Sequence, residues 1–411
     1  MLLYIFLFLI AADYAGLGTF VPAYKALPIT LALSVLLFLY LISKNKVSEL
    51  FQYKTVIYTF IFILLTAFAG VHGLIKNYAI EPLKVQIGYF IFMFICIYLV
   101  TNLKQFRLFT LVFTVVHAGL VLLNIDKVGG ERVGAYLGGF FVGDGNDFGW
   151  SQNVAFPLAI HLAFTTKNTL FKYGYVALAL IILIGIVGTQ SRGASLALAA
   201  GMLYYLSFIS NKRVAGFILI GIIGIGVLAF SPTSYFSRMG TIVDYQEDSS
   251  AMGRLKAWRT ATEMAIDNPI LGVGAGSFNS AYGRYYKKPD DPARWISTHS
   301  VYFKVLAEYG FPGIIIYILS ILHNIKINRE TQRLITENQQ RLEITPFWPQ
   351  ALSWATISWA VCAMFLTGYV YPHLFLLMGL TIAVHRIVLK ELENSAEPIE
   401  ETPAPARPRY F

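Results

Sequence analysis

The sequence predicts an all-α, polytopic membrane protein of about 12 transmembrane helices. Hydrophobic residues make up 56% of the chain and charged residues 13%, whereas an ordinary soluble domain has about 25% charged residues. Many apolar runs approach the roughly 20 residues that a helix needs to cross the hydrocarbon core. One long polar stretch, 231–298, interrupts this pattern between the ninth and tenth runs. We therefore expect a helical membrane protein with one large loop outside the membrane.

Twelve apolar runs are the candidate spans. They cover residues 2–22, 28–42, 55–75, 80–100, 106–125, 148–165, 173–190, 193–209, 214–230, 300–322, 351–369 and 372–389. The first run has no basic segment before it and no small-residue cleavage site after it, so it predicts a retained helix. The predicted organisation is nine helices in 1–230, a cap with short helices at 231–298, and three helices in 299–390 that enclose a loop at 323–350. The acidic, Pro-rich segment 391–411 is typical of a disordered tail.

Lysine and arginine in the connections predict the orientation of the chain. If the N-terminus is cytoplasmic, the inner connections carry most of these cations, namely Lys44, Lys46, Lys54, Lys104, Arg107, Lys167, Lys172, Lys212, Arg213, Lys326, Arg329, Arg333, Arg341, Arg386 and Lys390. The short outer connections carry Lys25, Lys76, Lys84, Lys127, Arg132 and Arg192. By the positive-inside rule both termini are cytoplasmic and 231–298 lies outside. The net charge of +9 is this bias together with the basic outer loop, so it does not indicate nucleic-acid binding.

The position of the long loop argues against a two-fold transporter. Transporters built from two similar halves often join them by a long central connection. Here the connection after the sixth run is only 166–172, and the long loop follows the ninth run.

Arg192 stands between two apolar runs that are joined by almost no loop. Residues 188–194 place it near the outer membrane face. An arginine at the bilayer centre costs roughly 2.5–3.5 kcal/mol on insertion scales, so one kept at this depth usually meets an anion or lines a wet cavity. The alternative is an arginine that snorkels to the head groups at a helix end. We favour anion binding because small neighbouring residues let a ligand approach.

The outer loop is basic and contains a predicted helix. Its cations are Arg238, Arg254, Lys256, Arg259, Arg284, Lys287, Lys288 and Arg294. Helical spacing begins at Gly253 and ends before Pro269, with an apolar face of Leu255, Trp258, Thr262 and Ile266. Arg254 and Trp258 share an adjoining stripe, whereas Arg259 diverges from Arg254 by about 140° around the helix. Either arginine is a candidate anion ligand, and the alternative is an interfacial helix with solvated cations.

His299 stands where the tenth apolar run begins, directly after the basic loop. Its unperturbed pKa of about 6.5 suits a general base at neutral pH. Tyr302 lies three residues further and shares its helix face, and Glu308 is a candidate to orient a partner or to satisfy buried polar groups. The alternative is a capping or interfacial histidine. The basic loop beside His299 favours catalysis.

Two glycine-rich segments are interpreted as turns rather than ligand sites. Residues 271–278 follow a helix end rather than a strand and lack the Lys-Ser/Thr of a P-loop. They predict a tight turn with positive φ angles. Residues 143–149 hold Asp144 and Asp147 at a spacing that matches no EF-hand, so a helix cap is favoured over a metal site. No metal or cofactor is predicted.

These segments, in this order, resemble the O-antigen ligase and polymerase superfamily of bacterial inner-membrane glycosyltransferases. The matching stretches are 191–194, 253–255 with Trp258, 268–274, 299–302 and 308–313. The similarity is clear over about 185–320, and the layout of spans extends it over nearly the whole chain. Residues 144–148 are also similar to an Asp-Pro-Asn-Asp-Phe turn of an exosortase-associated branch, although the proline is absent here.

The resemblance implies that a glycan is transferred from undecaprenyl diphosphate to an acceptor hydroxyl at the periplasmic face, without a metal. It implies that Arg192 and Arg254 hold the diphosphate, with Arg259 as a second match, and that His299 is the general base. Trp258 and Tyr302 complete the predicted substrate-binding set. The lipid A core is the favoured acceptor.

Other functions are compatible with the same segments. A polymerase would extend an O-antigen chain, and a protein O-oligosaccharyltransferase would use a protein hydroxyl. A flippase of lipid-linked sugars also needs outer cations, but it would form no glycosidic bond and would not require His299. The three alternatives are distinguished by whether a glycosidic bond forms and by the acceptor on which it forms.

Overall fold

The chain folds into a bundle of α-helices, and its computed structural model describes residues 1–22, 24, 29–44, 47–76, 78–128, 130, 136–208, 221, 249–289, 291 and 295–396. The longer helices are α1 (Leu2–Ala15), α2 (Ile29–Ser43), α3 (Lys54–His72), α4 (Ile80–Leu99), α5 (Leu103–Leu123), α6 (Gly145–Thr165), α7 (Thr169–Gly188), α8 (Arg192–Phe208), α9 (Ser249–Asp267), α10 (Val301–Glu337), α11 (Phe347–Cys362) and α12 (Pro372–Ala396). No strand occurs in these ranges. The predicted all-α class is confirmed.

Each apolar run that the structure describes contains a helix, although several helix ends differ from the predicted ones. Among the described residues, α3, α4, α5, α7, α10 and α12 are long and apolar enough to cross a membrane. The following lie outside the described residues: the run predicted over 214–230 except for residue 221, the cap residues Arg238 and Arg294, and the tail 397–411.

Helices α6, α8 and α11 pack against one another, and α6 lies inside the bundle. Every residue of α6 from Phe148 to Ala163 is buried. The indole Nε1 of Trp150 in α6 donates to the carbonyl of Trp359 in α11 at 3.0 Å, and the hydroxyl of Ser358 donates to the carbonyl of Ala197 in α8 at 3.1 Å. Protein therefore surrounds α6, whereas α8 packs on it with one face and exposes Leu196 and Leu203 on another.

Two helices, α1 and α10, end at positions that differ from the predicted runs. The run 2–22 is divided because α1 ends at a left-handed Gly16 (φ 63°), and a short helix, Leu17–Phe20, follows. Helix α10 continues to Glu337, so the loop predicted at 323–350 begins only at Asn338. Polar residues such as Arg329 sustain a helix as well as apolar ones do, so hydropathy marks the end of the apolar stretch and not the end of the helix.

The last two helices also differ in length from the prediction. Helix α11 ends at Cys362 instead of 369, which leaves 363–371 as an irregular turn. Helix α12 continues to Ala396, so the first residues of the predicted disordered tail are helical.

The loops at one end of the bundle form a connected layer. The amide of Ile75, after α3, donates to the carbonyl of Val273 at 2.9 Å. The amide of Gly139, before α6, donates to the carbonyl of Tyr14 in α1, also at 2.9 Å. The cap helix α9 lies against α10 at this end. We call this end of the bundle the cap end. The segments with predicted site residues all lie there.

Candidate active site

Backbone strain coincides with two of the predicted site segments. Among the described residues, the non-glycine residues with positive φ are Gln190 (φ 51°) and His299 (φ 43°). Such conformations are uncommon outside glycine, cost of order 1–3 kcal/mol, and cluster at functional sites. Gln190 lies two residues before Arg192, and His299 is itself the predicted base. Backbone strain therefore indicates that these two turns are candidates for a functional site.

The turn that precedes Arg192 is held by side-chain hydrogen bonds. The hydroxyl of Ser191 donates to Oδ1 of Asn146 at 2.9 Å and accepts from the amide of Ala194 at 3.3 Å. The side-chain amide of Gln190 donates to the carbonyl of Gly130 at 2.7 Å. Arg192 is the half-buried first residue of α8. These hydrogen bonds therefore hold in place the backbone from which the Arg192 side chain extends at the cap end.

The turn that contains His299 is anchored by the first two residues of α10, Val301 and Tyr302. The amide of Val301 donates to the carbonyl of Ala363 at 2.8 Å. The hydroxyl of Tyr302 donates to the carbonyl of Ala360 at 2.9 Å. His299 itself is exposed. The hydroxyl of Tyr302, predicted to bind substrate, is thus committed to the end of α11, and its observed contact positions the histidine turn.

Cap helix α9 places Trp258 against the same turn. The indole Nε1 of Trp258 donates to the carbonyl of Thr298 at 2.9 Å. Its ring stacks on that of Phe303, with centroids 5.0 Å apart and planes inclined by 9°. A hydrogen bond and a parallel ring contact together fix the distance between α9 and His299.

The two arginines of α9 have different surroundings. Arg254 lies one turn before Trp258, on the same side of the helix, and is half-buried. The Arg259 side chain is 78% exposed and pairs with Glu263 at 3.2 Å. Arg254 therefore lies on the side of α9 whose Trp258 contacts the histidine turn, whereas Arg259 faces outward.

The buried face of α9 differs from the apolar face predicted from the sequence. The residues that pack inward are Ala257, Ala261, Met264 and Ala265. Leu255 and Ile266, two members of the predicted face, are exposed. Small side chains let α9 approach α10 closely, so the close packing of alanines decides the orientation.

The irregular turn 363–371 joins the arginine and histidine segments. Beside the bond from Val301 to Ala363, Sγ of Cys362 lies 3.9 Å from the carbonyl oxygen of Gly193. A Cβ placed on Gly193 would lie 3.1 Å from the Phe365 ring. The start of α8 and the start of α10 therefore contact the same turn. Sequence reasoning assigned this turn to a span, although Gly368 and Pro372 were available as signals of a break.

A second contact of this turn involves Tyr371. Its hydroxyl donates to Oδ2 of Asp147 at 3.1 Å. Burial, followed by the adjacent Asp147 carboxylate, raises the pKa of Tyr371, so the hydroxyl stays protonated and acts as the donor. Asp144 accepts from the amides of Asn146 and Asp147 at 2.6 and 2.9 Å. The predicted helix cap at Asp144 is thus observed, and it presents Asp147 to the turn.

Hydrogen bonds join Glu308 to the glycine-rich turn 271–278 and stabilise this part of the cap end. The Glu308 carboxylate accepts from the amides of Gly276 (3.0 Å) and Phe278 (3.2 Å) and from the hydroxyl of Tyr369 (3.2 Å). Gly272 has φ 59°, and a Cβ there would lie 2.3 Å from the Ala307 carbonyl. The predicted tight turn with close backbone approach is confirmed. Glu308 satisfies buried donors, the second of the two roles considered for it.

The assembled arrangement contains cations, a histidine and a rigid support at one end of the bundle. Such a set suits an anionic diphosphate and proton removal from a hydroxyl. Among the residues that the structure describes, no group of three or more His, Cys, Asp or Glu side chains is arranged to hold a metal ion.

Residues 177–318 match the family model described as O-antigen ligase. These residues are similar to the O-antigen ligase family. The match confirms the resemblance to the O-antigen ligase and polymerase superfamily. The matched range runs from α7 into α10 and includes Arg192, Arg254, Trp258, Arg259, His299 and Tyr302. The turn 363–371 lies outside the matched range. No curated protein matches the chain.

Proposed function

We propose that this protein is an inverting, metal-independent glycosyltransferase of the O-antigen ligase kind. It moves a glycan from undecaprenyl diphosphate to a hydroxyl of the lipid A core. The supporting observation is the convergence of the Arg192, Trp258 and His299 segments at the cap end, within the range that matches the O-antigen ligase family. The observed anchoring contacts of each segment make that convergence rigid.

The proposed reaction assigns one task to each site residue. The acceptor oxygen attacks the anomeric carbon, and the bond from that carbon to the diphosphate oxygen breaks. The electron pair leaves with undecaprenyl diphosphate, whose charge is stabilised by Arg192 and Arg254. His299 takes the proton of the acceptor hydroxyl. Attack opposite the leaving group inverts the configuration at the anomeric carbon.

Trp258 and Tyr302 are proposed as positioning residues. The indole N–H of one and the hydroxyl of the other each donate to a main-chain carbonyl. These bonds hold the histidine turn between α9 and α11. Arg259 is proposed to contact the glycan or the head groups outside the diphosphate site, since it is exposed and paired with Glu263.

The proposed location is the bacterial inner membrane, with both termini in the cytoplasm and the cap end in the periplasm. The apolar helices favour a multi-pass membrane protein. The cations Lys326, Arg329 and Arg333 lie far along α10 from the cap end, which agrees with the positive-inside rule.

An in vitro transfer assay tests the proposal. Purified full-length protein would receive undecaprenyl-diphosphate-linked glycan and lipid A core, with a chelator present. Glycosylated lipid A core is the expected product. Longer chains on the lipid donor would instead identify a polymerase, and a glycosylated protein acceptor a protein oligosaccharyltransferase. If no glycosidic bond forms with any acceptor, the proposal is wrong and translocation of the lipid-linked glycan becomes the function to measure.

Arg254→Ala is expected to reduce transfer strongly, whereas Arg259→Ala on the same helix is the matched control. A hydrogen bond to a charged group contributes about 1.5–3 kcal/mol, which corresponds to roughly a 10- to 150-fold loss of rate. The assay is the initial rate of transfer at saturating acceptor. We expect the rate of Arg259→Ala to stay within about threefold of wild type, since losing an exposed ion pair changes little. Equal losses in the two variants would contradict the assignment of Arg254.

Trp258→Phe and Trp258→Ala separate the two contacts of the indole. Phenylalanine keeps a ring against Phe303 but loses the hydrogen bond to Thr298, and alanine loses both. Misplacing a reacting group by about 1 Å costs about 100-fold in rate, so we expect that loss for alanine and a smaller one for phenylalanine. Initial rates at matched amounts of folded protein provide the measurement. A rate for Trp258→Ala close to that of wild type would exclude the positioning role.

A further inference from the structure

A cationic groove lies far from the cap end, in the second half of helix α10. It has a volume of about 430 Å³ and is lined by Lys326, Arg329, Glu330 and Arg333, all of them exposed. Helix α10 is kinked at Gly310 (φ 65°, ψ −165°), and at 1.5 Å per residue Lys326 lies roughly 24 Å along the helix beyond that kink. The groove therefore belongs to the opposite end of the bundle and takes no part in the proposed reaction.

The three cations continue an exposed apolar stripe on the same face of α10. The stripe consists of Ile315, Leu319 and Leu322, and the next positions at alternating spacings of four and three residues are Lys326, Arg329 and Arg333. At about 100° per residue these positions stay within an arc of roughly 80°. One face of a single helix therefore changes from apolar to cationic just beyond Leu322.

The neighbouring helix α3 also combines exposed apolar residues with a cation at this end of the bundle. The ring of Tyr58 lies edge-on to that of His323, with centroids 6.2 Å apart. Lys54 begins α3, one turn before Tyr58, and is exposed. The surface of α3 toward the cap end carries exposed Phe60, Leu64, Phe68 and Val71. Two neighbouring helices thus have exposed apolar surface above a set of cations.

Lys326 and Arg329 in this groove are less neutralised by carboxylates than Arg386, a cation at the same end of the bundle. Arg386 pairs with Glu49 at 3.3 Å and lies 5.0 Å from the centroid of the Tyr98 ring. In the groove, Arg333 pairs with Glu337 at 3.6 Å. Within the described ranges, no carboxylate oxygen lies within 4.0 Å of a side-chain nitrogen of Lys326 or Arg329.

We infer that this groove binds the phosphate head group of an anionic glycerophospholipid. Lys326 and Arg329 lie about 6 and 10 Å beyond Leu322 along the helix axis, and each head-group layer is roughly 5–8 Å thick. Long cationic side chains reach phosphates at that depth. The acyl chains then run along the apolar stripes of α10 and α3. The helix holds the cations without a loop, so the site is formed before the lipid binds.

Binding is tested on the purified full-length protein by native mass spectrometry with added cardiolipin or phosphatidylcholine. The wild type is expected to retain cardiolipin preferentially. The variant K326Q/R329Q/R333Q is expected to weaken cardiolipin retention about tenfold or more, since each cation near an anionic surface contributes about fivefold. Melting temperatures measured with phosphatidylcholine alone establish that the variant is folded, and R329Q alone replaces it if the triple variant is not.

The matched control is K104Q/K167Q/K172Q, which removes the same charge from exposed cations of other connections at this end. It is expected to keep cardiolipin retention within about twofold of wild type. Equal loss in both triple variants would overturn the inference and leave only a general attraction between cations and anionic lipid. Undiminished retention by the groove variant would overturn it directly.

Discussion

His299→Asn is expected to abolish glycan transfer while the protein stays folded. His299 has φ 43°, a left-handed conformation that asparagine adopts more readily than most residues. The substitution therefore removes the imidazole without disturbing the turn. Loss of a general base lowers rates by about 100- to 10,000-fold. Transfer rate and melting temperature, measured on the same preparation, separate the chemical effect from a structural one.

Two further variants make this test specific. His299→Gly relieves the backbone strain completely and is expected to be as inactive as His299→Asn. His72→Asn changes another exposed histidine at the cap end, at the last residue of α3, and is expected to keep full activity. A transfer rate above about one tenth of wild type in either His299 variant would exclude its role as the general base.

Glu308→Ala is expected to destabilise the whole cap end. The buried carboxylate accepts three hydrogen bonds, two from main-chain amides of the glycine-rich turn and one from Tyr369. Each buried donor left unsatisfied costs about 1–3 kcal/mol, so the free energy of unfolding should fall by roughly 4 kcal/mol. A decrease in melting temperature of roughly 10 °C is the expected measurement.

Glu81→Gln is the matched control for this loss. The Glu81 side chain is 79% exposed and pairs only with the neighbouring Lys84 among the described residues. It should change the melting temperature by no more than about 1 °C, because exposed ion pairs contribute little. If Glu308→Ala had the same melting temperature as Glu81→Gln, the Glu308 carboxylate would not stabilise the glycine-rich turn.

The sequence determined the helical class, most helix positions and the segments that carry the site. Apolar run length is a local property, and a run of about 20 residues suffices to specify a buried or membrane helix. The glycine-rich turn was equally local, because positive φ angles and close approach select glycine. The order of the Arg192, Arg254 and His299 segments was sufficient to indicate the family.

Packing alone decided which way these segments face. The outward direction of Arg259 follows from the alanine face of α9, which lets that helix approach α10 more closely than its larger apolar face would. The turn 363–371 is nearly as apolar as a span, yet it becomes irregular because it is enclosed by the starts of α8 and α10. The carbonyl of Ala363 accepts from the amide of Val301 there, a partner that no local pattern records. Hydropathy is a property of one segment, whereas facing and enclosure depend on residues distant in the sequence, and only the tertiary structure brings those together.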